Sequence, residues 1–322
     1  MGWEAYMSEI FEAQAEIAAS EATTEPKSGG RGILWLVFAA ILWGTVGVSS
    51  ALLNRIEKTP PLTVGFLRLA FSSPFLLGLA WFVTKDNPFK ARWRDLPYFA
   101  AMGLAMAGYQ VFYFFAIPIS SVTLVVVIAL CSAPLIVALM SIVIFKERLT
   151  RKLLVAMVLA LAGTALLAFG GGSSGGGGSD YLLGAVLALG AGFSYSCFAI
   201  CSKLATQHTQ ATSSQTVALA FTIGALILLP LAAVSGNLKL ELAPGVWLIA
   251  AYMGLVPTGL AYVIFQNALK TASATAASIV TLLEPAVAAL LSWLLLAESV
   301  SLLTVIGAVM LVGSVWLLSR RN

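Results

Sequence analysis

Ten long apolar stretches, separated by short polar breaks, run through the 322-residue chain. A helix needs about 20 apolar residues to cross the hydrocarbon core of a bilayer, and it satisfies every backbone N–H and C=O within the span. Charged residues make up only 10% of the chain, against about 25% in soluble domains. The sequence therefore excludes a soluble globule and predicts an all-α polytopic membrane protein with ten transmembrane helices.

The predicted spans are long continuous runs, whereas a membrane β-barrel would show short segments of alternating hydrophobicity. They cover residues 33–53, 61–83, 97–116, 118–145, 152–169, 181–202, 213–234, 245–265, 271–297 and 301–318.

Basic residues gather on one side of this predicted bundle. If the N-terminus is cytoplasmic, 14 of the 18 Lys and Arg residues lie inside; Arg55, Lys58 and Lys239 lie outside, and Arg68 lies within the second span. Since cytoplasmic loops are enriched in Lys and Arg, we expect a bacterial inner-membrane protein with both termini cytoplasmic. The net charge of +4 is explained by this asymmetry and does not indicate a nucleic-acid partner.

The segment 1–31 differs from the rest of the chain, because it carries six of the 14 acidic residues. A secretory signal would begin with a positive segment followed by an apolar one. We interpret residues 1–31 as a cytoplasmic N-terminal tail.

Several kinds of chemistry are excluded by counting residues. One histidine, His208, leaves no histidine-based metal site and no Ser-His-Asp triad. The three cysteines lie within apolar runs, so no disulfide framework is indicated. We predict no enzyme activity, catalytic residue, cofactor or metal. The expected partners are a small-molecule substrate, a proton as a candidate coupling ion, and the lipid bilayer.

A flexible Gly/Ser linker at 170–180 divides the chain into two halves of five spans, 32–169 and 181–319. At an offset of 151 residues, Pro134, Ser141 and Glu147 match Pro285, Ser292 and Glu298. At an offset of 152, Trp43 matches Tyr195. Because five is odd, the second repeat enters the membrane inverted. Inverted repeats are typical of secondary transporters.

These motifs carry a resemblance to a known family. The P-x12-E pattern that closes the fourth and ninth spans, LWGTVGVSS at 42–50 and GFLRLAFSS at 65–73 resemble the drug/metabolite transporter superfamily, in its EamA-type ten-helix branch. The resemblance covers about residues 32–319. It implies a carrier of small metabolites, often amino acids, without an ATPase domain.

Glu284 is the sharpest candidate for a functional residue, because it lies midway along the ninth apolar stretch. An ionisable side chain at that depth is costly in lipid and usually faces a cavity or a partner. Pro285 removes a backbone donor and is expected to free the carbonyl of Thr281. The alternative is a protonated glutamate bonded to a neighbouring helix.

Arg68 is the second candidate, with three interpretations. It extends to the outer interface, pairs with Glu284, or holds a substrate carboxylate. The remaining predicted members of the pocket are aromatic or amide side chains within spans, which suit a mostly apolar metabolite site. They are Trp43, Tyr109, Gln110, Tyr113, Tyr195, Tyr262 and Gln266.

Pro134 and Pro285 occupy equivalent places in the two repeats, and each is expected to bend or break its helix. Interrupted helices at related positions mark the binding site in inverted-repeat transporters. The sequence thus predicts a secondary active transporter, monomeric or homodimeric, that exports amino acids by alternating access around a midplane cavity. The alternatives are another small metabolite (nucleobase, sugar or drug-like compound) or a non-transporting receptor or scaffold.

Overall fold

The computed structural model describes residues 30–83, 92–120, 122–170, 180–296 and 300–320. Within these ranges ten helices are long and apolar enough to cross a membrane, and no residue is in a β-strand. The predicted all-α protein with ten spans is therefore confirmed. The predicted tail, up to residue 29, and linker residues 171–179 lie outside the described residues.

Two spans are interrupted, and their halves are labelled a and b. The helices are α1 Gly30–Ile56, α2 Pro61–Gly78, α3 Leu96–Ile119, α4 Val122–Phe145, α5 Arg151–Gly170, α6 Tyr181–His208, α7 Ser213–Val234, α8a Pro244–Met253, α8b Ala261–Ala268, α9a Ala274–Thr281, α9b Glu284–Leu296 and α10 Leu302–Ser319. With an even number of spans, Gly30 and Ser319 lie on the same side of the bundle, here named the terminal face. The other side is named the opposite face.

Proline explains both interruptions. Between α8a and α8b the chain forms a π-helical segment, Gly254–Leu260, that contains Pro257. Proline lacks the N–H that an α-helix requires there, and the wider π geometry accommodates the missing bond. Between α9a and α9b, residues Leu282 and Leu283 form a turn just before Pro285. In contrast, α4 is continuous through Pro134.

Side-chain caps define where several helices begin. Thr212 and Gln215 form a capping box at the start of α7, and Asp180 accepts a hydrogen bond from the N–H of Leu183 at the start of α6. Ser273 and Ser301 cap α9a and α10 in the same way. Such caps satisfy backbone donors that the first turn leaves free, so short loops between spans suffice.

Packing crosses the boundary between the repeats. Helix α1 packs against α8b and both halves of α9, whereas α6 packs against α3 and α4. We name these sets the α1 group (α1, α8, α9) and the α6 group (α3, α4, α6). Helix α2 contacts α7, and α5 contacts α10. Each repeat therefore contributes its first helix to helices of the other repeat, and the five-helix halves are interleaved.

Glycines allow these crossings. A Cβ atom on Gly307 of α10 would lie 2.6 Å from the carbonyl oxygen of Gly163 in α5, so the two backbones are in direct contact. Gly32 of α1 packs on the α8b–α9a turn at Thr271, and Gly184 of α6 packs on the α3–α4 turn at Ser120. The last two contacts are equivalent under the inverted repeat, since Gly32 and Gly184 occupy matching positions.

A polar clamp joins two loops on the opposite face. The Lys239 ammonium lies 2.5 Å from the Glu57 carboxylate, which also accepts a hydrogen bond of 2.9 Å from the N–H of Ala243. Lys239, and to a lesser degree Ala243, lowers the pKa of the Glu57 carboxyl. The clamp is therefore formed at neutral pH and is lost as the pH falls through this lowered pKa.

Candidate functional site

A cavity lies in the middle of the bundle, between the α1 group and the α6 group. Its empty space, open mouth included, is about 620 Å³. The lining residues come from α1, α2, α3, α4, α6, α8b and α9, and several are polar. They are Trp43, Arg68, Tyr109, Ala129, Leu130, Ala133, Pro134, Tyr195, Tyr262, Ser278, Thr281, Leu282 and Glu284.

Glu284 reaches the cavity because the ninth span breaks beside it. It is the first residue of α9b, where the helix dipole favours a negative charge. Helix α1 approaches this point closely: a Cβ atom on Gly44 would lie 3.1 Å from the Glu284 carbonyl oxygen. The equivalent residue of the first repeat, Ala133, lines the same cavity. The two repeats therefore differ at this point by one carboxylate.

Arg68 lines the cavity and does not extend to the interface. Its Nε donates a hydrogen bond of 3.0 Å to the hydroxyl of Thr258, which belongs to the π-helical segment of the eighth span. Among the described residues the one salt bridge is Lys239–Glu57, so Arg68 and Glu284 do not pair directly. The terminal nitrogens of Arg68 and the carboxylate of Glu284 both remain available to a ligand.

Aromatic rings line the same cavity as Arg68 and Glu284. The rings of Trp43 and Tyr262 are 4.8 Å apart, and those of Tyr109 and Tyr195 are 6.0 Å apart. The hydroxyl of Thr281 donates a hydrogen bond of 2.9 Å to the backbone carbonyl of Ser278. The indole Nε1 of Trp43 has no hydrogen-bond partner, although this side chain is only 4% exposed. A buried donor without a partner is costly, so an acceptor at this position would be favoured.

The cavity is closed toward the terminal face by fully buried phenylalanines. Phe198 and Phe265 follow Tyr195 and Tyr262 by one turn in that direction, with their ring centroids 6.4 Å apart. Phe221 of α7 packs 6.3 Å from Phe198. These rings form the floor of the cavity.

Three of the sequence-predicted site residues lie outside the lining. Gln110 is buried against Gly65 of α2. Tyr113 stacks behind Tyr109 at 5.6 Å. Gln266 points away from the cavity and donates a 2.9 Å hydrogen bond to the backbone carbonyl of Ser202. A polar side chain within a span suggests a pocket in the sequence. The rotation of the helix about its own axis nevertheless turns each of these three side chains away from the cavity.

The sequence argument missed two polar residues that the structure makes prominent. Thr258 orients Arg68, and the only sequence signal for it is the preceding Pro257, which disturbs the eighth span. Lys203 is the other: a lysine near the end of a span is expected at the cytoplasmic surface, yet this one is 5% exposed.

A ten-span bundle of inverted repeats around a charged cavity at mid-depth is the architecture of a membrane transporter. The chain belongs to the EamA-like transporter family, whose model matches residues 30–169 and again residues 182–320. The resemblance seen in the sequence motifs is thereby confirmed.

Individual relatives agree with this assignment. An uncharacterized transporter of Bacillus subtilis, YwfM, is 32% identical over 283 residues, which are 87% of this chain and 91% of that protein. An uncharacterized transporter of Archaeoglobus fulgidus is 29% identical over 282 residues, 87% of this chain and 93% of the relative. One crystal structure of a protein matches with a TM-score of 0.76 at 18% identity, covering 89% of this chain and 96% of its own. That structure shares the fold.

Proposed function

We propose that this multi-pass transporter is a secondary active carrier that exports amino acids. The observation that carries the proposal is the pair of opposite charges in the cavity, Arg68 and Glu284, neither of which is paired with the other. One positive and one negative group match the two charges of a zwitterion. Charge-assisted hydrogen bonds at both ends are stronger than neutral ones.

The rest of the lining supports the same class of substrate. The ammonium group of an amino acid would bond to Glu284, and its carboxylate to the terminal nitrogens of Arg68 or the free N–H of Trp43. The apolar side chain would then lie against Tyr109, Tyr195 and the rings near them, because aromatic faces bind apolar groups well. A phosphorylated metabolite fits less well, since Arg68 is the one cation in the lining.

Alternating access in this carrier is expected to involve the α1 group and the α6 group as the moving units. The cavity lies between them, whereas the two sequence repeats are interleaved. Glu284 serves either as the ligand of the substrate ammonium or as the carrier of a coupling proton, because a carboxyl group at this depth is suited to both.

A flux screen in proteoliposomes tests the proposal. Amino acids are compared with nucleobases, sugars and drug-like cations, with and without a proton gradient. We expect saturable, protein-dependent flux of amino acids that the gradient increases, with protein-free liposomes as the control. Flux of another class alone would reassign the substrate. No substrate-dependent flux of any class would favour a receptor or scaffold.

We also propose that the terminal face is cytoplasmic in a bacterial inner membrane, from the distribution of Lys and Arg. Two exposed residues report on the two faces: Glu241 on the opposite face and Lys270 in the α8b–α9a turn. In intact cells a membrane-impermeant thiol reagent should label Glu241→Cys, but label Lys270→Cys only after permeabilisation. The reverse pattern would invert the orientation, and the wild-type chain measures background from the three cysteines within spans.

A further inference from the structure

A buried lysine bridges the two helix groups below the cavity floor. Lys203, near the terminal-face end of α6, is 5% exposed. Its ammonium donates hydrogen bonds of 2.6 Å to the backbone carbonyl of Leu269 and 2.8 Å to that of Ala272. Both carbonyls belong to the turn between α8b and α9a. A lysine ammonium at this depth needs such partners, because an unpaired charge in the membrane is costly.

Other hydrogen bonds cross the same boundary on the same face. Gln266 of α8b donates to the carbonyl of Ser202 in α6 at 2.9 Å. Thr275 of α9a donates to the carboxylate of Glu147, just beyond α4, at 2.8 Å. On its other side, the α8b–α9a turn packs on Gly32 of α1. At the terminal face the α6 group is thus bonded to the α1 group through Lys203, Gln266 and Thr275.

The same contact also contains polar atoms without partners. The hydroxyl of Ser202 and the side-chain oxygen of Gln266 are buried and have no hydrogen-bond partner. Buried polar atoms of this kind destabilise the arrangement that buries them. They would gain water or a ligand if the two groups separated. The interface therefore has strong hydrogen bonds at Lys203, whereas the adjacent Ser202 hydroxyl and the Gln266 side-chain oxygen have none. Such a combination is expected of a contact that opens.

The opposite face has no equivalent of this lysine. The position of α1 that matches Lys203, at the 152-residue offset of Trp43 and Tyr195, is Ala51. An alanine offers no donor to the α3–α4 turn, which is the counterpart of the α8b–α9a turn under the inverted repeat. The Lys203 ammonium thus stabilises the closed terminal face. At the opposite face Ala51, the equivalent residue, supplies no such hydrogen bonds.

We propose that Lys203 is a positioning residue that latches the terminal face shut, so that the empty carrier rests with its cavity open to the opposite face. This inference rests on the proposed alternating access. A substrate arriving from the terminal face meets a minor state, so its apparent affinity is reduced by the fraction of carriers in that state. The KM measured from the terminal face should therefore exceed the KM from the opposite face.

The test uses a cysteine in the cavity, Ser278→Cys, and an impermeant thiol reagent applied to vesicles of either orientation. Removing two charge-assisted hydrogen bonds in Lys203→Met should raise labelling from the terminal face by about tenfold or more, and lower labelling from the opposite face. Lys203→Arg, which keeps the charge and the donors, should behave nearly as wild type. Lys270→Met is the matched control, because Lys270 is an exposed lysine in the α8b–α9a turn to which Lys203 donates its hydrogen bonds.

Each other outcome overturns the latch. If Lys203→Met labels like Lys270→Met, the bonds do not control access. If labelling rises from both faces, the substitution has loosened the protein and the role of Lys203 is packing alone. The labelling needs no substrate. A shift of labelling between the faces therefore supports the latch even if the flux screen reassigns the substrate. Flux of amino acids without such a shift leaves the proposed function standing and removes the latch.

Discussion

Replacing Glu284 by glutamine is expected to reduce amino acid flux in proteoliposomes by about 10- to 100-fold, the effect of losing one charge-assisted hydrogen bond. Glutamine has nearly the same volume and keeps an acceptor oxygen, so the break between α9a and α9b and the contact with Gly44 should persist. Thermal unfolding in detergent should therefore change little. Flux at the wild-type level would assign Glu284 to packing alone.

A second measurement on the same variant separates the two roles of this carboxylate. If Glu284 carries the coupling proton, substrate exchange between equal pools should survive in Glu284→Gln while gradient-driven accumulation is lost. If it binds the substrate ammonium, both should be lost together. Glu241→Gln is the control, since Glu241 is an exposed glutamate in a loop of the opposite face and should keep both activities.

Placing a methyl group at Gly307 should lower the free energy of unfolding by about 1–3 kcal/mol, the range for overpacking a well-packed contact. A Cβ atom there would lie 2.6 Å from the backbone carbonyl oxygen of Gly163 and 3.0 Å from the backbone nitrogen of Leu167. Backbone atoms cannot rotate away as a side chain does, so α5 and α10 must separate. Thermal unfolding of Gly307→Ala in detergent measures the loss.

Gly313 of the same helix is the matched control for this substitution. A Cβ atom at Gly313 meets no atom within 4 Å, and alanine is a better helix former than glycine by about 1 kcal/mol. Gly313→Ala should therefore be neutral or slightly stabilising. Equal unfolding curves for the two variants would show that the close approach of α5 and α10 contributes nothing to stability.

The ten spans were predictable because the bilayer imposes one length on every helix that crosses it. Glu284 and Arg68 were predictable as candidates for a related reason: a charge within a span is expensive, so it stands out in the sequence whatever the packing. Both line the cavity. Trp43 and Tyr195, at matching positions in the two repeats, line it as well.

What the sequence did not reveal depends on partners far along the chain. The burial of Lys203 requires two carbonyls in a turn 66 and 69 residues later, and near a span end the same lysine is indistinguishable from an interfacial one. Gln110 faces Gly65 of α2 and not the cavity, because helix rotation is set by neighbours that a single sequence does not identify. The spacing of the motifs also did not predict that the first helix of each repeat packs against helices of the other repeat.

The interleaved packing has a consequence for synthesis. When α1 to α5 have been synthesised, the surfaces of α3 and α4 that pack on α6 still face lipid or the insertion machinery. The surface of α1 that packs on α8b and α9 does so as well. The first five helices thus enter the bilayer without their main partners and cannot mature as a unit. Assembly must wait for α6 to pack against α3 and α4, and it ends only when α10 reaches α5.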